Sequence, residues 1–202
     1  MISRRRFMGR SQQSLYTELE YIESTGTQYI DTKYVCSNDT KIEIDFTVVN
    51  FDTRLNALFG IIDVSVGANS YFYSWINNKK LQLRFGPVGK TTSTELEIGQ
   101  RYVLIQGKQT ANVNDVELGG WSNGLTKATN SIFLMALRNN TIASYQFKGR
   151  IYGFKIYEND ILAMDLIPVF DNKIGVACMY DKISNEFLYN KGTGDFSYAY
   201  KQ

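Results

Sequence analysis

Apolar and polar residues alternate most cleanly from Thr40 to Val49. Ile42, Ile44, Phe46 and Val48 fall on one side, and Lys41, Glu43, Asp45 and Thr47 on the other. A period of two belongs to an extended strand, so this segment is predicted as a strand with one buried and one wet face. Leu15 to Ile22 and Gln28 to Tyr34 read as further extended pieces, separated by Ser24-Thr25-Gly26-Thr27. Arg54 to Ile62 is apolar on both faces and is predicted to lie centrally in a sheet. In Asn69 to Ile76, Tyr71, Tyr73 and Trp75 share one face while Phe72 and Ile76 share the other. Asn77-Asn78 predicts a hairpin turn. Lys80 to Phe85 returns with Leu81, Leu83 and Phe85 inward, leaving Gln82 and Arg84 outward.

Gly86 to Thr94 reads as a loop, and Glu95 to Ile98 and Arg101 to Gln106 as strands. Ala111 to Leu118 reads as a strand with a turn at Asn114-Asp115. Gly119 to Gly124 is a glycine-rich loop around Trp121, which either projects as a ligand contact or folds back to plug the end of the core. Ser131 to Leu137 is apolar on both faces and is expected inside a sheet. Strands follow from Lys148, again over Ile161 to Val169 with stops at Pro168 and at Asp171-Asn172, and over Val176 to Tyr180. Short strands at regular spacing with turn signals between them predict an all-β fold of antiparallel sheets.

Composition narrows the chemistry. The chain has 202 residues, which suits one all-β domain better than two. A net charge of +2 gives no reason to expect nucleic acid as the principal partner. There is no histidine, which removes the commonest general base and the commonest zinc ligand together. No cofactor is implied. The scattered acids Asp31, Asp39, Asp63, Asp171 and Asp195 show no spacing that converges on a metal, although a calcium ion between loops is left open. Cys36 and Cys178 form either a disulfide or two reduced core thiols.

The segments GRIYGFKIY, DLIPV, GVACMYD and NKGTGDF resemble the closing signature of laminin-G-like and concanavalin A-like jelly-roll domains. LEYIESTGTQYIDTKY followed by TKIEIDF resembles their opening. The likeness runs from about Leu19 to Phe196 and is to the versions found in bacteriophage structural proteins and in surface proteins of gut Bacteroidetes and Firmicutes. It implies a two-sheet jelly-roll sandwich and leaves function open, because one sandwich hosts many tasks. Jelly-roll β-glucanases place catalytic acids at alternate positions of one strand, as in Glu43-Ile44-Asp45-Phe46. Retaining hydrolysis needs two carboxyl groups about 5–5.5 Å apart. The last acid of that pattern is missing, because Phe46, Thr47 and Val48 follow. Glu43 therefore reads as part of a polar outer face, and the protein as a non-enzyme.

Residues 1–14 read as a basic docking arm ahead of a sandwich spanning residues 15–202. The arm carries Arg4, Arg5, Arg6 and Arg10, with Phe7 and Met8 as apolar pegs, and no acid. Its arginines resemble a twin-arginine export signal, but SQQSLYTELE follows in place of an apolar segment, so export by that route is not expected. The resemblance and the arm together imply a virion surface protein, assembled in the host cytoplasm and docked onto an acidic patch of capsid or tail. It would be a homo-oligomer, with several weak glycan sites acting together. The alternative is a free carbohydrate-binding module of a bacterial surface or secreted protein. The candidate glycan contacts are Tyr71, Tyr73, Trp75, Gln82, Arg84 and Trp121, since rings stack on the apolar faces of sugars and planar polar groups orient hydroxyls; the alternative is that Tyr71, Tyr73 and Trp75 form the core face and Phe72 faces out.

Overall fold

The computed structural model describes residues 14–51, 55–66, 70–125 and 128–202. The candidate docking residues Arg4, Arg5, Arg6, Phe7, Met8 and Arg10 lie outside them. The described residues form strands throughout, with one short 3-10 turn at Val64–Val66. In chain order the first six strands are β1 (Tyr16–Thr25), β2 (Ile30–Asp31), β3 (Thr40–Val48), β4 (Asn56–Ile62), β5 (Tyr71–Asn77) and β6 (Lys80–Phe85). Next come β7 (Val88–Thr91), β8 (Arg101–Gly107), β9 (Ala111–Val113), β10 (Val116–Glu117), β11 (Phe133–Leu134) and β12 (Leu137–Asn139). The last six are β13 (Ile142–Ser144), β14 (Lys148–Glu158), β15 (Ile161–Asp171), β16 (Val176–Asp181), β17 (Glu186–Leu188) and β18 (Ser197–Tyr200).

Two sheets face each other. The larger has the order β10-β9-β8-β3-β14-β1-β15-β16-β17, with β18 added beside β1. The smaller has the order β13-β12-β4-β5-β6-β7, with β11 joining β2 to β4. Strand β3 buries Ile42, Ile44, Phe46 and Val48, as its alternation requires. Three hairpins close through two residues at positive φ: Asn78-Lys79, Asn114-Asp115 and Asn159-Asp160. This geometry matches the right-handed twist of the flanking strands, and asparagine and aspartate tolerate it best.

The interior is an aromatic row that ties the layers together. Phe154 of β14 meets Phe59 of β4, Phe59 meets Phe72, Phe72 meets Phe85, and Phe85 meets Trp121, with centroid separations of 5.1–6.0 Å. Cys36 and Cys178 are free and buried in separate clusters, so the disulfide alternative falls. Burial pushes each thiol up to about 12.

Several sequence expectations are corrected. The segment Glu95 to Ile98 is not a strand, and Gly86 to Thr94 contains β7. Leu96 still buries its side chain, and its N–H reaches the Lys79 carbonyl. Ser131 to Leu137 splits into β11 and β12, because Met135 adopts a positive φ of 64° between them. Pro168 does not end β15. It lies between the last β14 pair, Leu166 with Phe154, and the first β1 pair, Val169 with Glu18. That edge carries no ladder bond there for a proline to break.

Candidate functional site

Strand β5 sends Phe72 and Ile76 into the main core and turns Tyr71, Tyr73 and Trp75 to the outside of the smaller sheet. Gly60 lets this happen. It pairs with Tyr73 across the strands, and a Cβ there would lie 2.3 Å from the Tyr73 Cβ. With that space open, Tyr73 packs with Ala57 and Leu137, and Trp75 stacks on it at 4.2 Å and 28°. Tyr73 is only 6% exposed, so it is the floor of the platform rather than a contact surface, which corrects its place among the glycan contacts. Tyr71 and Trp75 remain half-buried.

The register places Gln82 opposite Trp75 and Arg84 opposite Tyr73. The Trp75 indole N–H donates to Gln82 Oε1 at 2.6 Å. Arg84 lies over the Tyr71 ring at 4.8 Å and donates through Nε to the Gly86 carbonyl and through Nη2 to the Pro87 carbonyl. Both planar groups are therefore fixed before any ligand arrives. Fixing them in advance lowers the ordering cost of binding. The Gln82 amide nitrogen and the Tyr71 hydroxyl have no hydrogen-bond partner among the described residues, so they can still bond a ligand. From the opposite sheet, Gln106 Nε2 donates to the carbonyls of Tyr73 and Arg84 at 3.2 and 2.9 Å. This buried cross-layer amide pins the backbone under the platform.

Sequence reasoning missed Tyr145. It lies just past β13, 44% exposed, and its ring meets Trp75 edge-on at 5.9 Å and 76°. No periodicity marks it, because β12, β13 and the segment after them are too short to show one. Beyond it opens a cleft of about 510 Å³ lined by Thr25, Gly26, Thr27, Asn56, Gln146 and Lys148, among others. A second cleft, of about 240 Å³, lies between residues 92–97 and the β9–β10 hairpin. It has one aromatic wall, Tyr102, whose hydroxyl already accepts the Glu97 N–H, so it is the weaker candidate.

Trp121 does not belong to the platform. It is 5% exposed, ends the interior aromatic row, and donates its indole N–H to the Val88 carbonyl at 2.9 Å. Lys90 covers it, 5.4 Å from the ring. Gly120 permits this fold-back, since a Cβ there would strike the Gln109 backbone at 2.5 Å. The plug is the alternative that the structure selects.

Glu43 sits on the outer face of the larger sheet, where Lys155 donates to it at 2.7 Å and the Tyr157 hydroxyl stands at 3.5 Å. Its neighbour Asp45 receives a two-pronged contact from Arg101, with both bonds at 2.7 Å. Among the described residues no group of three or more His, Cys, Asp or Glu side chains comes together to hold a metal. Asp63 is buried and accepts from the Thr129 backbone, the Thr129 hydroxyl and the Asn130 amide, a loop-binding arrangement.

These features define an all-β jelly-roll sandwich with an aromatic platform on its smaller sheet. Solved structures share the fold. One is a candidate carbohydrate-binding protein from Bacteroides ovatus ATCC 8483, with 11% identity and a TM-score of 0.64 over 91% of this chain. The chain spans 60% of that protein's length. Another is the CBM40 module of the Ruminococcus gnavus IT-sialidase, with 12% identity and a TM-score of 0.54, covering 71% of this chain and 92% of that one. No family model matches the sequence, and no curated protein does.

Proposed function

We propose that this sandwich is a non-catalytic carbohydrate-binding module of a bacterial surface or secreted protein. One observation carries the reading: a preorganised aromatic platform of Tyr71, Tyr73, Trp75 and Tyr145, edged by Gln82 and Arg84, lies on the outside of the smaller sheet. Ring faces take up the C–H faces of a pyranose, and the Gln82 amide and Arg84 guanidinium are placed to bond its hydroxyls. The fold neighbours described by carbohydrate binding support it. The non-catalytic reading is supported by Glu43, which is ion-paired and lies on the other sheet.

A broad glycan array followed by calorimetry tests the reading. The wild type is expected to bind, and Tyr145→Ala to weaken that binding by about tenfold or more, close to 1.4 kcal/mol. Tyr145 is the informative position because it is exposed. Trp75→Ala also removes the Tyr73 stack and the Gln82 bond, so it will lower the melting temperature together with affinity. Failure of the wild type to bind any glycan on the array rejects the proposal.

A further inference from the structure

We infer that the ligand is a chain of at least two sugar units, held in two adjoining subsites with Tyr145 as the divider between them. The inference rests on the carbohydrate-binding reading above and adds the class of ligand. Tyr145 belongs to both spaces: its ring stands edge-on to Trp75, and the residue also lines the neighbouring cleft. The cleft, at about 510 Å³, falls within the range of about 300–1,000 Å³ typical of small-molecule sites. The platform alone offers one stacking surface, which serves one ring. The cleft beside it offers room for the next.

The backbone supplies an independent observation. Tyr145 has a φ of 55°, a left-handed conformation that is uncommon for a bulky residue. Such conformations persist only where the surroundings over-determine them, and they cluster at ligand clamps. Here the Tyr145 carbonyl accepts the Ala57 N–H at 2.7 Å, and Gln146 bridges to Ala57. The chain is thus held to β4 while Tyr145 takes its place at the boundary of the two spaces.

The two spaces differ in chemistry. The platform presents ring faces to a C–H face. The cleft presents hydroxyls and an amide to a sugar edge. The Thr27 hydroxyl donates its proton to the Thr193 carbonyl at 2.8 Å, which leaves its oxygen as an acceptor. The Gln146 amide nitrogen makes one long contact, 3.4 Å to the Ala143 carbonyl, and its Oε1 has no partner among the described residues. Asn56 and Lys148 are engaged elsewhere and are not needed as ligands.

The test is calorimetric or NMR titration of the full chain with matched mono-, di- and trisaccharides of β-linked glucose, galactose and mannose. For the series that binds, the disaccharide is expected to bind at least about tenfold more tightly than its monosaccharide, with little further gain from the third unit. Gln146→Ala and Thr27→Val are each expected to shrink the disaccharide-to-monosaccharide ratio towards one. Tyr145→Phe, which keeps the ring, is expected to preserve it. A monosaccharide that binds as tightly as its disaccharide overturns the two-subsite inference and leaves carbohydrate binding standing. A large ratio that neither Gln146→Ala nor Thr27→Val reduces overturns the assignment of the second subsite to this cleft. Binding to no member of any series removes both proposals.

Discussion

Two aspartates show how single side chains hold the turns of the larger sheet. Asp181 is 2% exposed and Asp171 is 3% exposed. Burial pushes both carboxyls up, but hydrogen bonds outweigh it and leave both below the usual carboxylate range. Asp181 accepts the Asp165, Ile183 and Ser184 N–H groups and the Ser184 hydroxyl. Asp171 accepts the Lys173 and Ile174 N–H groups and the Tyr189 hydroxyl. Since the folded state lowers these pKa values, the unfolded chain binds more protons in the acid range. The stability they contribute is present above about pH 4, near the unfolded carboxyl value, and is lost as pH falls through the folded values. Melting temperature is therefore expected to drop below about pH 4. Asp181→Asn is expected to be less stable at neutral pH and to flatten that acid slope. An unchanged slope in the variant would mean that the acid sensitivity arises elsewhere.

The β4–β5–β6 segment builds the platform, and Gly60 is its most exacting position. Its added Cβ would meet the Tyr73 Cβ at 2.3 Å and the Tyr73 Cα at 2.9 Å, neither of which is the flexible end of a side chain. Gly60→Ala is expected to destabilise the fold by about 2 kcal/mol, as overpacking does. Chemical denaturation measures the loss, and glycan affinity should fall with it as Tyr73 is displaced from beneath Trp75. The division of this strand into two faces could be read from alternation alone, because Phe72 and Ile76 oppose Tyr71, Tyr73 and Trp75 at strict period two, but which face turns inward could not. How far each outward ring is covered could not be read. Tyr73 is closed off by Leu137, a residue 64 positions away, and local pattern carries no record of such a neighbour.

Across the whole sandwich, the two motifs that open and close the chain meet in space. Thr193 N–H bonds to the Thr27 carbonyl, Lys191 N–H to the Tyr29 carbonyl, and the Gln28 amide to the Asp195 carbonyl. Gly192 is needed because a Cβ there would lie 1.8 Å from the Thr27 carbonyl oxygen. Strand β18 pairs with β1, so the closing strand completes the sheet beside the opening one. Ahead of β1 runs the basic segment with Arg4, Arg5, Arg6, Phe7, Met8 and Arg10, outside the described residues. Were the chain instead the virion protein that the sequence reading expected, this segment would be its docking arm. Deleting the first ten residues would then abolish incorporation into particles, scored by mass spectrometry of purified virions, while circular dichroism still reports a β-rich fold. Normal incorporation of the truncated protein would rule the docking role out.

Alternation, turn residues and the motif likeness were enough to determine the all-β class, the inward faces of β3 and β6, and the hairpins at asparagine-rich turns, because each depends on residues within a few positions of one another. The fate of Trp121 was open in the sequence, since a glycine-rich loop permits projection and fold-back equally. The tertiary structure decided it, through the Phe85 ring and the Val88 carbonyl that meet it more than thirty residues away. The same holds for Tyr145, whose nearness to Trp75 arises only when β13 and β5 are brought into one sheet by strands between them. Local order follows from the chain's own periodicity, whereas exposure and site membership depend on which distant segments come to lie alongside.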